Sequence, residues 1–119
     1  MAPLLQLGLV PVFIDIDPIT MNISLPSLEE AIMKHPRARA IMAVHVLGNS
    51  VEMNLLMKIV QKYRLILLED TCESLGLFAT LSKDVKTRML GTFGTFGAFS
   101  FYFSHHITSG EGGMVVCHT

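Results

Sequence analysis

Apolar and polar positions alternate along this chain in two distinct periods. The run Val10–Asp15 (VPVFID) is β-branched and aromatic and predicts a strand, ended by Asp17-Pro18. Ser27 then stands as an N-cap with Glu29 and Glu30 in the first turn, so Ser27–Lys34 predicts a helix, closed by Pro36. Ala40–Val44 (AIMAV) predicts a second strand, and Gly48-Asn49 a turn. Met53, Leu56, Met57 and Val60 share one face at helical spacing, which predicts a helix over Glu52–Tyr63. Leu65–Leu68 (LILL) predicts a third strand running into Glu69-Asp70. Strand, helix, strand, helix, strand with connections of this length implies parallel neighbours in one sheet with right-handed crossovers. Thr80–Met89 is polar and basic and reads as an exposed loop. Gly91–Phe103 alternates glycine with aromatics and predicts a strand near Gly97–Phe101. Ser109–Gly113 is a glycine-rich turn, and Met114–Cys117 begins one more strand. There is no internal repeat, linker or low-complexity tract.

Composition changes this picture in one respect. Half of the 119 residues are hydrophobic and 16% are charged, which is apolar for a globular domain. A slice from the interior of a larger α/β domain has this composition, because strands buried on both faces read as unbroken apolar runs. The chain begins almost in its first strand and stops just after its last one starts, so a truncated unit is expected. Nine basic residues face ten acidic ones with no basic block, which argues against nucleic acid or an anionic membrane as partner. No apolar run approaches the roughly 20 residues of a membrane span. The start MAPLLQLGLVPVFIDID lacks a basic region and meets acid early, unlike a signal peptide. Cys72 and Cys117 are far apart, with no CxxC pair or zinc spacing, which points to a reduced, cytoplasmic setting.

Few residues carry chemistry. Asp70 lies at the carboxyl end of the LILL strand, where ligands of open α/β sheets collect. It suits a partner for a cationic ring nitrogen, or an N-cap for the TCESL turn; position alone leaves both open. The segment Ser100–Gly113 (SFYFSHHITSGEGG) sets two histidines after an aromatic strand and before a glycine turn. Histidine titrates near neutral pH and serves as a general base, although a histidine pair in a loop is also a common surface feature. Adjacent side chains diverge, and neither His45 nor Cys117 has the spacing of a zinc partner, so no metal site is expected. Ser100, Ser104, Thr108 and Ser109 offer hydroxyls for a phosphate, and the glycines let backbone N–H groups approach an anion or simply make a tight turn. His45 follows the AIMAV strand and either lines the same cleft or is a satisfied structural residue. The eight methionines read as core filler.

Taken together, GLVPVFIDIDP, AIMAVHVLGN, LLEDTCESLG, GTFGTFGAFSFY and HHITSGEGG resemble, in order and spacing, the sugar aminotransferase family DegT/DnrJ/EryC1/StrS, fold-type I pyridoxal-phosphate enzymes. The resemblance covers nearly the whole chain. The EDxxxxxG and SFxxxKxxxxGEGG patterns are specific when they occur together, and the Thr80–Met89 loop is a few residues longer than usual. The resemblance implies an α/β fold, a three-layer, mainly parallel sheet with flanking helices. Residues 1–119 would be the central part of the large domain, without the N-terminal segment and the C-terminal small domain. It also implies roles. Asp70 would bond the pyridinium nitrogen and keep the ring an electron sink, Cys72 would pack beneath the ring, and Ser100 would bond the cofactor phosphate.

The chain departs from the family at one position. Aligning SFYFSHH on SFxxxK puts His105 where the Schiff-base lysine should be, and an imidazole cannot form the equivalent imine with the cofactor aldehyde. The HHIT-GEGG form resembles the nucleotide-sugar 3-dehydratases, which use pyridoxamine phosphate and a histidine base on 4-keto-6-deoxyhexoses. His105 is then the base, with His106 in reserve. A nucleotide sugar as substrate, an amino donor such as glutamate, a homodimer and a place in deoxysugar and surface-polysaccharide synthesis follow from the same resemblance. One subgroup also uses an iron-sulfur cluster, on which these residues are silent, since two separated cysteines make no four-cysteine site. The alternatives are a sugar aminotransferase, and a truncated fragment without catalysis.

Overall fold

The strand segments AIMAV, ILLED and FGAFS alternate between two faces, and this alternation builds the sheet. The computed structural model of the chain describes residues 2–81 and 87–118. After a short helix α1 (Ala2–Gln6), the elements are α2 (Leu25–Lys34), β1 (Ala40–Val44), α3 (Met53–Tyr63), β2 (Ile66–Asp70), β3 (Phe78–Ala79), β4 (Arg88–Met89), β5 (Phe96–Ser100) and β6 (Gly113–Cys117). A four-stranded sheet runs β1-β2-β5-β6. β1, β2 and β5 are parallel, and β6 pairs antiparallel with β5. The α/β class and the mainly parallel sheet expected from the sequence are present. No helix among the described residues is long and apolar enough to cross a membrane.

The core lies on one face of the sheet. Ile41 and Ala43 of β1 and Leu67 of β2 pack with Leu28 and Ile32 of α2 and Leu56, Ile59 and Val60 of α3. The opposite face presents Met42, Val44, Ile66 and Phe96 exposed. Lys62 joins the two helices by an ion pair to Glu29 at 2.6 Å, and the Tyr63 hydroxyl donates to the same carboxylate.

Four expectations are corrected. Val10–Asp15 is not a strand and is no neighbour of β1. Asp17 accepts hydrogen bonds from the N–H groups of Ile19 and Thr20, which folds the chain back so that Asp15 and Asp17 bond backbone groups of Ser24 and Asn22. Its partners thus come from its own return stretch, with a single Ile16–Ile23 bridge. Ile14 packs on the core while Val10 and Phe13 stay 87% and 79% exposed. The first long helix begins at Leu25, not Ser27: Ser24 is the cap, its Oγ accepting from the Ser27 N–H, with proline in the first turn. β2 runs two residues beyond Leu68, because Ala43 and Val44 of β1 continue to pair with Glu69 and Asp70. The stretch expected as an exposed loop, Thr80–Met89, ends in a strand, since Arg88 and Met89 pair with Ala79 and Phe78; residues 82–86 of that loop lie outside the described residues.

Candidate functional site

β2 ends in two carboxylates that the strand's alternation sends to opposite faces. Glu69 shares the buried face with Leu67; Asp70 lies on the other. Asp70 Oδ1 accepts from the Cys72 N–H at 3.1 Å, and the Cys72 thiol is within reach of the same carboxylate. The turn-capping role therefore takes one backbone donor and leaves acceptor capacity on the same side chain. Thr71 is buried and locks the turn to β5, with both its N–H and its hydroxyl donating to the Ala98 carbonyl.

His105 approaches from the segment after β5. Ser100 Oγ accepts from the Tyr102 N–H, and the His105 N–H donates to the Tyr102 carbonyl, so the chain turns tightly after the strand. Phe101 then exchanges backbone hydrogen bonds with Ser109 and Gly112, and the Thr108 hydroxyl donates to its carbonyl. The Tyr102 ring meets the His105 ring edge-on at 6.3 Å between centroids.

A cavity of about 300 Å³ results, lined by Val44, His45, Asp70, Cys72, Glu73 and His105. It brings together three of the four residues singled out from the sequence. Ser100 does not line it; it sits on the Asp70 face of the sheet, two residues beyond Ala98, which pairs with Asp70. His106 is exposed and lies outside the cavity wall. Burial first, then hydrogen bonding and charge from Asp70, push the Cys72 thiol up to about 11, so it is uncharged at neutral pH. The cavity thus joins a carboxylate with acceptor capacity, an uncharged small side chain and an imidazole. That donor set fits a flat cationic heteroaromatic ring.

His45, left open by the sequence, is satisfied and only 1% exposed. Its Nδ1 accepts from the Val51 N–H, so the ring proton sits on Nε2, facing Glu69 Oε2 at 3.3 Å. Glu69 also accepts from the N–H groups of Gly91, Phe93 and Gly94. Burial pushes its carboxyl up, but the His45 hydrogen bond and the Gly94 and Gly91 N–H groups together hold it below the ordinary value. Sequence reasoning passed over Glu69 and Glu73. For Glu69 the sequence held no signal, because LILL is apolar at every position and does not say which phase of the strand is buried. Glu73 is held by the Leu47 N–H at 3.1 Å, a contact across 26 residues with no local signal.

A larger cavity, about 470 Å³, lies between the 17–26 turn and the start of α3. Its polar groups are already engaged: Asp17 holds its own turn, Ser24 and Glu52 cap helices, and Asn22 bonds the backbone of Val46 and Asn49. The smaller cavity is the one with free chemistry. Among the described residues, no three His, Cys, Asp or Glu side chains gather as a metal site.

Residues 1–119 match the DegT/DnrJ/EryC1/StrS aminotransferase family. The lipopolysaccharide biosynthesis protein RfbH of Salmonella typhimurium is 43% identical over 113 residues, 95% of this chain and 24% of that protein. A GDP-4-keto-6-deoxy-D-mannose 3-dehydratase of Escherichia coli is 44% identical over 114 residues, 96% of this chain and 27% of that protein. A solved GDP-4-keto-6-deoxymannose-3-dehydratase with a trapped PLP-glutamate geminal diamine superposes with a TM-score of 0.81 at 42% identity, covering 98% of this chain and 28% of that one. The chain spans about a quarter of the length of these relatives.

Proposed function

Because the chain belongs to the DegT/DnrJ/EryC1/StrS aminotransferase family, we propose that it is the central part of the large domain of a pyridoxal-phosphate enzyme that removes the 3-hydroxyl from a nucleotide-activated 4-keto-6-deoxy sugar. The family is one of enzymes, and the relatives named above include a 3-dehydratase of such a sugar. The observation that carries the reading is the cavity itself: an imidazole, His105, shares it with Asp70, and no lysine lines it among the described residues.

The cofactor, bound as pyridoxamine phosphate, supplies an electron sink and a primary amine. Asp70 would hold the ring nitrogen in its protonated form through its carboxylate. The Cys72 thiol, uncharged at neutral pH, would pack against the ring without competing for that charge. Ser100 and neighbouring backbone N–H groups donate to the phosphate. His105 would act as the base that accepts a proton from the carbon bearing the cofactor's amine and as the acid that donates one to the departing hydroxyl, the two-way transfer to which imidazole is suited near neutral pH. In the same reading the complete protein is a cytoplasmic homodimer that takes glutamate as amino donor and serves deoxysugar and polysaccharide synthesis.

The test uses full-length protein carrying these residues. Incubation with pyridoxal phosphate and labelled borohydride is expected to leave the protein unlabelled, and GDP-4-keto-6-deoxymannose, given with glutamate as amino donor and reductant, is expected to yield by mass spectrometry a 4-keto product with one oxygen fewer, the 3-hydroxyl replaced by hydrogen. His105→Asn should abolish turnover with cofactor binding largely intact, and His105→Lys should permit covalent fixation of the cofactor. Covalent labelling of the wild type, or a 4-amino product that keeps its 3-hydroxyl, would instead identify a sugar aminotransferase. Failure of the full-length protein to bind the cofactor at all would overturn the reading.

A further inference from the structure

Beneath the cavity lies a buried ionisable pair that the proposed chemistry does not use. The Glu69 and His45 side chains have no solvent exposure. Four N–H donors converge on the two oxygens of Glu69: Phe93 and Gly94 on Oε1 at 2.7 and 2.5 Å, Gly91 and His45 on Oε2 at 2.9 and 3.3 Å. Four donors suit an ionised carboxylate, which is acceptor-only at both oxygens. His45 cannot reverse its tautomer to suit another residue, because its Nδ1 already accepts from the Val51 N–H at 3.2 Å.

These four donors belong to two separate parts of the chain. His45 directly follows β1, and its own N–H donates to the Asp70 carbonyl at 3.0 Å. Gly91, Phe93 and Gly94 belong to the loop that precedes β5 and folds back over it, so close that a Cβ on Gly97 would stand 1.9 Å from the Gly91 carbonyl oxygen. A single carboxylate therefore ties together β1, β2 and the approach to β5. Burying an ionised carboxylate costs several kcal/mol of desolvation, and apolar residues of similar size often serve stability as well. What the pair adds is one geometry. Residues 69 and 70 point to opposite faces, so fixing the Glu69 side chain on the back of β2 fixes the direction of Asp70 on the front.

We propose that Glu69 and His45 are positioning residues for the cofactor cavity, holding Asp70 in the orientation in which its carboxylate faces the ring nitrogen. The inference rests on the cofactor reading above for its consequence, but the clamp itself is measurable without cofactor. Two amides report on it: the His45 N–H bonded to the Asp70 carbonyl, and the Cys72 N–H bonded to Asp70 Oδ1.

The experiment is amide hydrogen exchange on the full-length, cofactor-free protein, followed by pyridoxal phosphate titration. Glu69→Gln sets an NH₂ group against a donor, and is expected to speed exchange at His45 and Cys72 about tenfold or more. Amides in α2 should keep their rate, and the pyridoxal phosphate Kd should rise about tenfold. If that variant does not fold, the His45 pair decides. His45→Gln, whose amide can donate toward Glu69, should retain slow exchange at Cys72, and His45→Leu should lose it. Equal acceleration at all amides, or none at His45 and Cys72, overturns the proposal and leaves an ordinary structural pair. A wild type that takes up no pyridoxal phosphate overturns the proposed function, and the exchange pattern then judges the clamp alone.

Discussion

Asp70 and Glu69 are neighbours in the chain, yet one faces a cavity and the other has four donors and no water. At the scale of single residues this difference sets how stability responds to acid. The folded-state carboxyl of Glu69 lies below 4.5: burial raises it, but the hydrogen bonds from His45, Gly94 and Gly91 outweigh burial. A depressed carboxyl contributes stability that is whole above its unfolded value and is lost as pH falls through the folded one. The melting temperature of the full-length protein is therefore expected to fall on acidification below about 4.3. Glu69→Gln, which binds no proton, should flatten that acid limb in thermal melts. An unchanged acid limb in the variant would show that other carboxylates control it. Cys72 illustrates the opposite case, a thiol that burial and Asp70 keep protonated and therefore unreactive as a thiolate.

At the scale of elements, helix ends are where local rules competed. Both Ser24 and Ser27 are good caps, and Glu29 and Glu30 after Ser27 suggested the later start. Ser24 is chosen because Pro26 fits the first turn, where its missing N–H costs nothing. Glu29 then moves into the helix body and reaches Lys62 and Tyr63 on α3. Ser24→Ala is expected to cost about 1 kcal/mol, and Ser27→Ala less than half of that, by urea denaturation. The reverse order would return the start of the helix to Ser27. The stretch 10–15 teaches the same lesson for strands: VPVFID has strand composition, but a strand needs a partner edge, and the Asp17 turn supplies other partners first.

At the scale of the whole molecule, the sheet is asymmetric. α2 and α3 cover the face of Ile41, Ala43 and Leu67. Met42, Val44, Ile66, Phe96 and Val115 remain exposed, as do Leu5, Leu7, Leu9, Val10 and Phe13 in the stretch before α2. Contiguous apolar surface of this kind drives association. Residues 1–119 expressed alone are expected to self-associate at micromolar concentration and to melt without a cooperative transition. Sedimentation velocity and calorimetry check this, and a monomer with a sharp melt would show that the chain is self-sufficient.

The sequence by itself determined the α/β class, the two longer helices, the cores of β1, β2, β5 and β6, and the assignment of Asp70 to a strand's carboxyl end. All of these rest on periodicity and turn chemistry that act over a few residues. Only the tertiary structure decided that Val10–Asp15 finds no sheet edge and that β6 runs antiparallel to β5. It alone brought His105 into the cavity of Asp70 and Cys72, left Ser100 outside that wall, and set His45 on Glu69 across 24 residues. Each of these depends on which distant groups meet, and hydrogen bonds between distant segments leave no period in the chain. Glu69 stands between the two kinds of information. Its place after an apolar run put it in or beside a strand, but only the folded sheet buried its phase and only the loop 91–94 and His45 supplied the donors that let a charge remain there.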